Sequence, residues 1–306
     1  MFDLSCPFTT LTIMSRAKDG SVRTVLILLA LGLGVLLPYG LPYVFLIRYF
    51  LMWMLFQSSV DLVLQRDSIK GSHLAILAVN IGLPVALFLG LRSWLPTEAM
   101  VLSVTAMAPT AVAAPVVIEL LRGKTAYAAA SLLLTNLVMA GMIPLLISRF
   151  GFTDSSQSLG AALPVILSVI LIPLGLAQLV RIRWPRLAGR LARYRRLSFY
   201  LLVCCIYLGT TRATHFVRHE IDAPLILIAR IAAATLVMCV LGFLLGRYLG
   251  GRQYAREASF SLGHKNNAFT IWIALTFVSP LAALGPVCYV LFQNVYLSYC
   301  LSRDQQ

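Results

Sequence analysis

Acidic side chains are scarce in this chain: 11 Asp and Glu stand against 25 Lys and Arg in 306 residues. Charged residues of both signs reach only 12%, and no stretch is long and polar enough for a separate soluble domain. A soluble protein of this length is therefore excluded. The sequence also lacks a paired-carboxylate motif, a histidine–glutamate metal motif and a Ser/His/Asp set at membrane depth. These absences argue against an intramembrane enzyme, where His264 is the one plausible base. Of the six cysteines (Cys6, Cys204, Cys205, Cys239, Cys288 and Cys300), five fall in apolar stretches and none forms a metal-ligand spacing. They read as small packing residues, with no disulfide framework, metal site or cofactor implied. Met1–Ile13 lacks a basic n-region and makes a poor signal peptide. Met14-Ser-Arg-Ala-Lys-Asp-Gly resembles a natural start, so residues 1–13 are either a mis-called start or a flexible leader, and 1–21 precede the fold.

What is present is apolar sequence: 59% of residues are hydrophobic and mean hydropathy is +0.86. Apolar runs of roughly 17–25 residues recur, the length that spans hydrocarbon. Ten spans are expected. Helix 1 is Val22 to Pro38, helix 2 Leu41 to Leu62, helix 3 Leu74 to Trp94, helix 4 Glu98 to Leu121 and helix 5 Thr125 to Ser148. Helix 6 is Ser158 to Leu179, helix 7 Leu197 to Phe216, helix 8 Asp222 to Leu249, helix 9 Tyr254 to Phe277 and helix 10 Ala282 to Leu301.

The net charge of +14 does not signal nucleic-acid binding, because the basic residues sit in short loops between apolar spans. With the N-terminus inside, 18 Lys and Arg fall on inner segments and four (Arg92, Arg149, Arg212 and Arg218) on outer loops. That asymmetry puts both termini in the cytoplasm. The connector Arg181 to Arg196 holds seven arginines and reads as a topological anchor touching anionic lipid head groups. It also splits the spans into two fives. An odd number of crossings makes the second half enter from the opposite side, so the halves are inverted repeats, a plan common among transporters.

Helices 4 and 9 occupy matching positions, and both are interrupted. Helix 4 carries Pro109 and Pro115, each lacking a backbone donor, and Pro115 suits the first turn of a new half-helix. Helix 9 carries Ser261-Leu-Gly-His-Lys-Asn-Asn-Ala268. Consecutive polar residues at this depth are costly unless they face protein or a water-filled cavity. Paired interruptions of this kind point to a solute site. The alternative is a polar helix–helix contact.

Several segments resemble the bile acid:sodium symporter family over nearly the whole chain from about residue 22. Gly32-Leu-Gly-Val-Leu-Leu-Pro38 is similar to its first helix. Pro109 through Leu121-Arg122-Gly123-Lys124 is similar to its fourth. Gly263, Asn266 and Asn267 match the Glu-x-Gly-x-Gln-Asn-Ser-Gly stretch of its ninth, and Phe292-Gln293-Asn294 resembles part of its tenth. The resemblance implies a core domain of helices 3–5 and 8–10, a panel domain of helices 1–2 and 6–7, and unwound helices 4 and 9 crossing at mid-membrane. It implies alternating access in a bacterial inner membrane, with a small organic anion, a carboxylate or sulfonate, bound near the crossing. The start of a half-helix suits such an anion.

The departures fall on the family's sodium sites. Its glutamate is Ser261 here, its glutamine is Lys265, and its Ser-Asn pair is Ala114-Pro115. An ammonium repels sodium, so coupling to sodium is not expected. Lys265 stands in for a bound cation, donating to freed carbonyls, with proton coupling and a purely structural role both open. Candidate substrate contacts are Thr110, His264, Asn266, Asn267, Gln293 and Asn294, and the two asparagines are equally suited to capping. Asn80, Asn136, Gln293 and Asn294 suit inter-helix glue. Arg48 and Arg230 suit snorkelling. Asp61 and Glu119 are expected to pair with Arg66, Lys124 or a similar neighbour. A facilitative or exchange carrier and a transport-inactive sensor are the competing readings.

Overall fold

The computed structural model describes residues 22, 24–60, 69–152, 159–192, 194–219 and 224–303. Among these, every regular element is a helix. Expectations for residues 1–21, Asp61 and Arg66 lie outside the described residues. Six helices are long and apolar enough to cross a membrane: Gly71–Leu91, Thr125–Phe150, Ala162–Arg183, Leu197–His219, Leu225–Leu249 and Pro280–Arg303. The chain is an all-α integral membrane protein. Their outward faces suit lipid: Leu236, Val237, Val240, Leu241 and Leu244 all lie exposed on one helix.

We number the helices α1 (Thr24–Leu36), α2 (Leu46–Ser59), α3 (Gly71–Leu91), α4 (Pro96–Ala106), α5 (Ala114–Leu120), α6 (Thr125–Phe150) and α7 (Leu159–Arg183). A short α8 (Pro185–Ala192) leads to α9 (Arg195–His219), α10 (Leu225–Leu249), α11 (Gly251–Gly263), α12 (Asn267–Ile273) and α13 (Leu284–Arg303).

Several ends differ from the sequence expectation for identifiable reasons. Pro38 and Pro42 hold residues 38–43 in a 3₁₀ segment, so α2 starts at Leu46 rather than Leu41. A π-helical turn, Ala274–Val278, extends α12. A 3₁₀ turn, Pro280–Ala283, with Ser279 as its cap, precedes α13. The basic connector carries a helix of its own, α8.

The largest apolar cluster joins α2, α6, α7, α9 and α12, through residues such as Leu51, Ile143, Ile166, Leu208 and Phe269. A second joins α5, α10, α11 and α13, through Ile118, Phe243, Phe260 and Tyr289. Backbones approach closely where side chains vanish. A Cβ on Gly246 would stand 2.5 Å from the Ala258 carbonyl oxygen, and one on Gly209 would stand 2.6 Å from Ile271 Cγ2. The first contact fixes α10 on α11, and the second fixes α9 on α12.

Candidate functional site

Two helix breaks meet inside the protein. Pro109 lacks an N–H and its ring opposes the carbonyl four residues back, and α4 stops at Ala106. The chain runs non-helically to Ala113, and Pro115 sits in the first turn of α5. On the other side, α11 ends at Gly263, His264 is extended at φ −90°, ψ 98°, and α12 begins at Asn267. The breaks pair as an isolated antiparallel bridge of Thr110 with Lys265. Ala111 N donates to His264 O at 2.8 Å, and Asn266 N donates to Pro109 O at 2.8 Å.

Breaking two helices in an apolar setting frees backbone groups that must find partners. Side chains supply them. Lys265 Nζ donates to Ala106 O at 3.1 Å, Ala108 O at 2.9 Å and Asn80 Oδ1 at 3.1 Å. Its three hydrogens are thereby used. Lys265 is 2% exposed, and among the described residues no carboxylate pairs with it. Gln293 clasps the Lys265 backbone, accepting from its N at 2.9 Å and donating to its O at 3.3 Å. Thr135 Oγ1 accepts from Thr110 N, and Asn136 Nδ2 donates to Thr110 O. Thr110 Oγ1 donates to Ser261 O at 2.6 Å, and Tyr289 OH donates to Gly263 O at 2.8 Å. Asn266 Oδ1 caps α12 by accepting from Phe269 N at 3.3 Å.

A cavity of about 610 Å³ borders this junction. Its inner end is formed by His264–Ala268 and Gln293. Its walls come from α5 (Pro115, Val116, Leu120), the start of α6 (Ala126, Ala129), the end of α2 (Met54, Gln57, Ser58) and the start of α9 (Ser198, Phe199, Leu202). The walls are largely apolar but also carry Gln57, Ser58, Glu119, Thr125 and Ser198. His264 Nδ1 and Asn267 Oδ1 are buried without a protein partner. A buried polar atom left unpaired is costly, and both belong to residues at the inner end of the cavity.

Of the residues nominated from sequence, Pro115, His264, Lys265, Asn266, Asn267 and Gln293 line the cavity. Thr110, Ala114, Ser261 and Asn294 do not. Thr110 is spent on the bridge, Ala114 is buried in the first turn of α5, and Asn294 Nδ2 donates within its own helix to Val290 O. Ser261 Oγ is buried without a partner. Among the described residues no cluster of His, Cys, Asp or Glu is suited to hold a metal ion. Arg230 meets Glu98 at 2.8 Å, while Arg48 Nη2 reaches Ser168 Oγ at 3.4 Å. The walls supplied by α2 and α9 were not nominated from sequence. Only Gln57, polar within an apolar helix, offered a signal.

No family model matches the chain, and no curated protein matches it.

Proposed function

We propose that the protein is a secondary active transporter of a small organic anion, not an enzyme, working by alternating access without sodium. The observation that carries this reading is the cavity whose inner end is formed by two paired helix breaks. Taking α4 with α5 and α11 with α12 as single interrupted spans, the helices make ten crossings. The connector holding α8 then divides them into inverted halves, as in the bile acid:sodium symporter plan. The cavity lies between α2 and α9 on one side and α5, α6, α12 and α13 on the other, an arrangement that suits a panel moving against a core.

We take the mouth of the cavity to be its end at the α5–α6 turn and the start of α9, whose lining residues Thr125 and Ser198 lie next in sequence to Lys124 and the arginine-rich connector. The positive-inside bias makes this the cytoplasmic face, so the conformation is inward-open. Lys265 stands where a bound cation would otherwise hold the breaks together. Its three oxygen partners also favour a second reading, a facilitative or exchange carrier in which the ammonium never leaves its seat.

A thermal-shift screen of the purified protein against carboxylates and sulfonates tests the proposal, because a ligand of the folded state raises apparent stability. At least one anion should raise the melting temperature equally with and without sodium, and Asn267→Leu should remove the shift. Shifts seen only with sodium, or with no anion at all, would count against it.

A further inference from the structure

We propose that α8 is a sensor of anionic lipid head groups that sets the width of the cavity mouth through Gln57. The inference needs the cavity only as a solvent-accessible opening and does not depend on what it carries.

Helix α8 lies across the ends of α2 and α7. Ala188, on its inner face, is buried against Val60 and Ala177, with Phe56 and Val180 beside them. The outer face and the turn before it expose Arg183, Arg186 and Arg190 together with Trp184 and Leu187. No acidic residue occurs anywhere in residues 181–196, and these three arginines form no ion pair among the described residues. Guanidinium groups suit phosphate, and an indole suits the bilayer interface. The charge on this face is the complement of an anionic membrane surface. A helix of eight residues has little stability of its own, so its seating depends on its packing on α2 and α7 and on what covers its outer face.

Its last turn is wired to the cavity. The Leu191 carbonyl accepts from Tyr194 N at 3.0 Å and from Gln57 Nε2 at 2.9 Å. The Oε1 of the same amide accepts from Trp53 Nε1 at 3.1 Å and from Ser198 Oγ at 3.2 Å. Gln57 is 2% exposed, and Gln57 and Ser198 both line the cavity. One buried amide therefore ties α8, α2 and the start of α9 together at the mouth. Head groups that hold α8 down hold the Leu191 carbonyl in place and keep α2 and α9 joined. Without them the carbonyl shifts, the amide loses its acceptor, and the two walls separate.

The test uses full-length protein in nanodiscs of phosphatidylcholine alone or phosphatidylcholine with phosphatidylglycerol. The readout is the labelling rate of Ala129→Cys, a buried cavity-wall position, by a membrane-impermeant maleimide, with the parent protein as blank. Labelling should be several-fold slower with phosphatidylglycerol. The surface variant Arg183→Gln/Arg186→Gln/Arg190→Gln should lose that difference. Gln57→Leu should also lose it, and if Gln57→Leu does not fold, the surface variant carries the test alone. Equal rates in the two lipids, or a difference that survives in the surface variant, overturn the proposal. So does an equal slowing by inorganic phosphate in neutral nanodiscs, which would assign the site to a soluble anion.

Discussion

Replacing Lys265 by alanine takes the donor away from three buried oxygens, those of Ala106, Ala108 and the Asn80 side chain. Each orphaned acceptor costs about 1–3 kcal/mol, a gross loss of about 3–9 kcal/mol. Against this, removing a buried ammonium recovers a desolvation penalty of several kcal/mol. The oxygens stay behind, so the recovery is incomplete, and we expect a net destabilisation of about 1–3 kcal/mol. Alanine also leaves a void, which by itself would lower stability. Lys265→Met separates the two effects, because its side chain fills most of the volume and donates nothing. Thermal unfolding of the detergent-purified proteins should rank wild type highest, Lys265→Met clearly lower and Lys265→Ala lowest. A methionine variant as stable as wild type, or more so, would refute the reasoning. The ammonium would then be a tolerated burden rather than the group that satisfies the breaks.

Gly246→Ala should cost about 1–3 kcal/mol, because its Cβ meets backbone that cannot turn aside, whereas Gly82→Ala should stabilise by up to about 1 kcal/mol, since its Cβ meets nothing within 4 Å. Parallel melting curves of the two variants check this pair. Asn266→Ala removes the cap of α12 and should lower stability by about 1 kcal/mol, with Asn266→Asp retaining most of it. Cysteines placed at Gly189 and Trp94 should be labelled from opposite sides of the membrane in cells, Gly189 from the cytoplasm; the reverse pattern would invert the orientation.

Both helix breaks were legible because their causes are local. Pro109 removes a backbone donor inside a span and Pro115 suits the first turn of a new helix, and the polar run through Lys265 is conspicuous in an apolar span. What joins the breaks was less legible. Thr110 offered no sign that it would bridge to Lys265 while its hydroxyl reached Ser261, since neither contact is near in sequence. The apolar walls of the cavity were hidden for another reason. Met54, Phe199 and Leu202 have the same composition as any lipid-facing or packed position, and only tertiary structure sorts them. The close approach of α10 to α11 at Gly246 likewise needs both backbones to be known. The shortening of α2 follows from Pro38 and Pro42, yet proline fixes only where a helix is disturbed, not how far the disturbance runs.

Sodium-independent anion transport is tested directly by uptake of a panel of labelled carboxylates and sulfonates into proteoliposomes, measured in sodium-free buffer and again with sodium. Saturable uptake of at least one anion is expected, unchanged by sodium and abolished by Asn267→Leu. Uptake that requires sodium, or a folded protein that moves none of these anions, would contradict it.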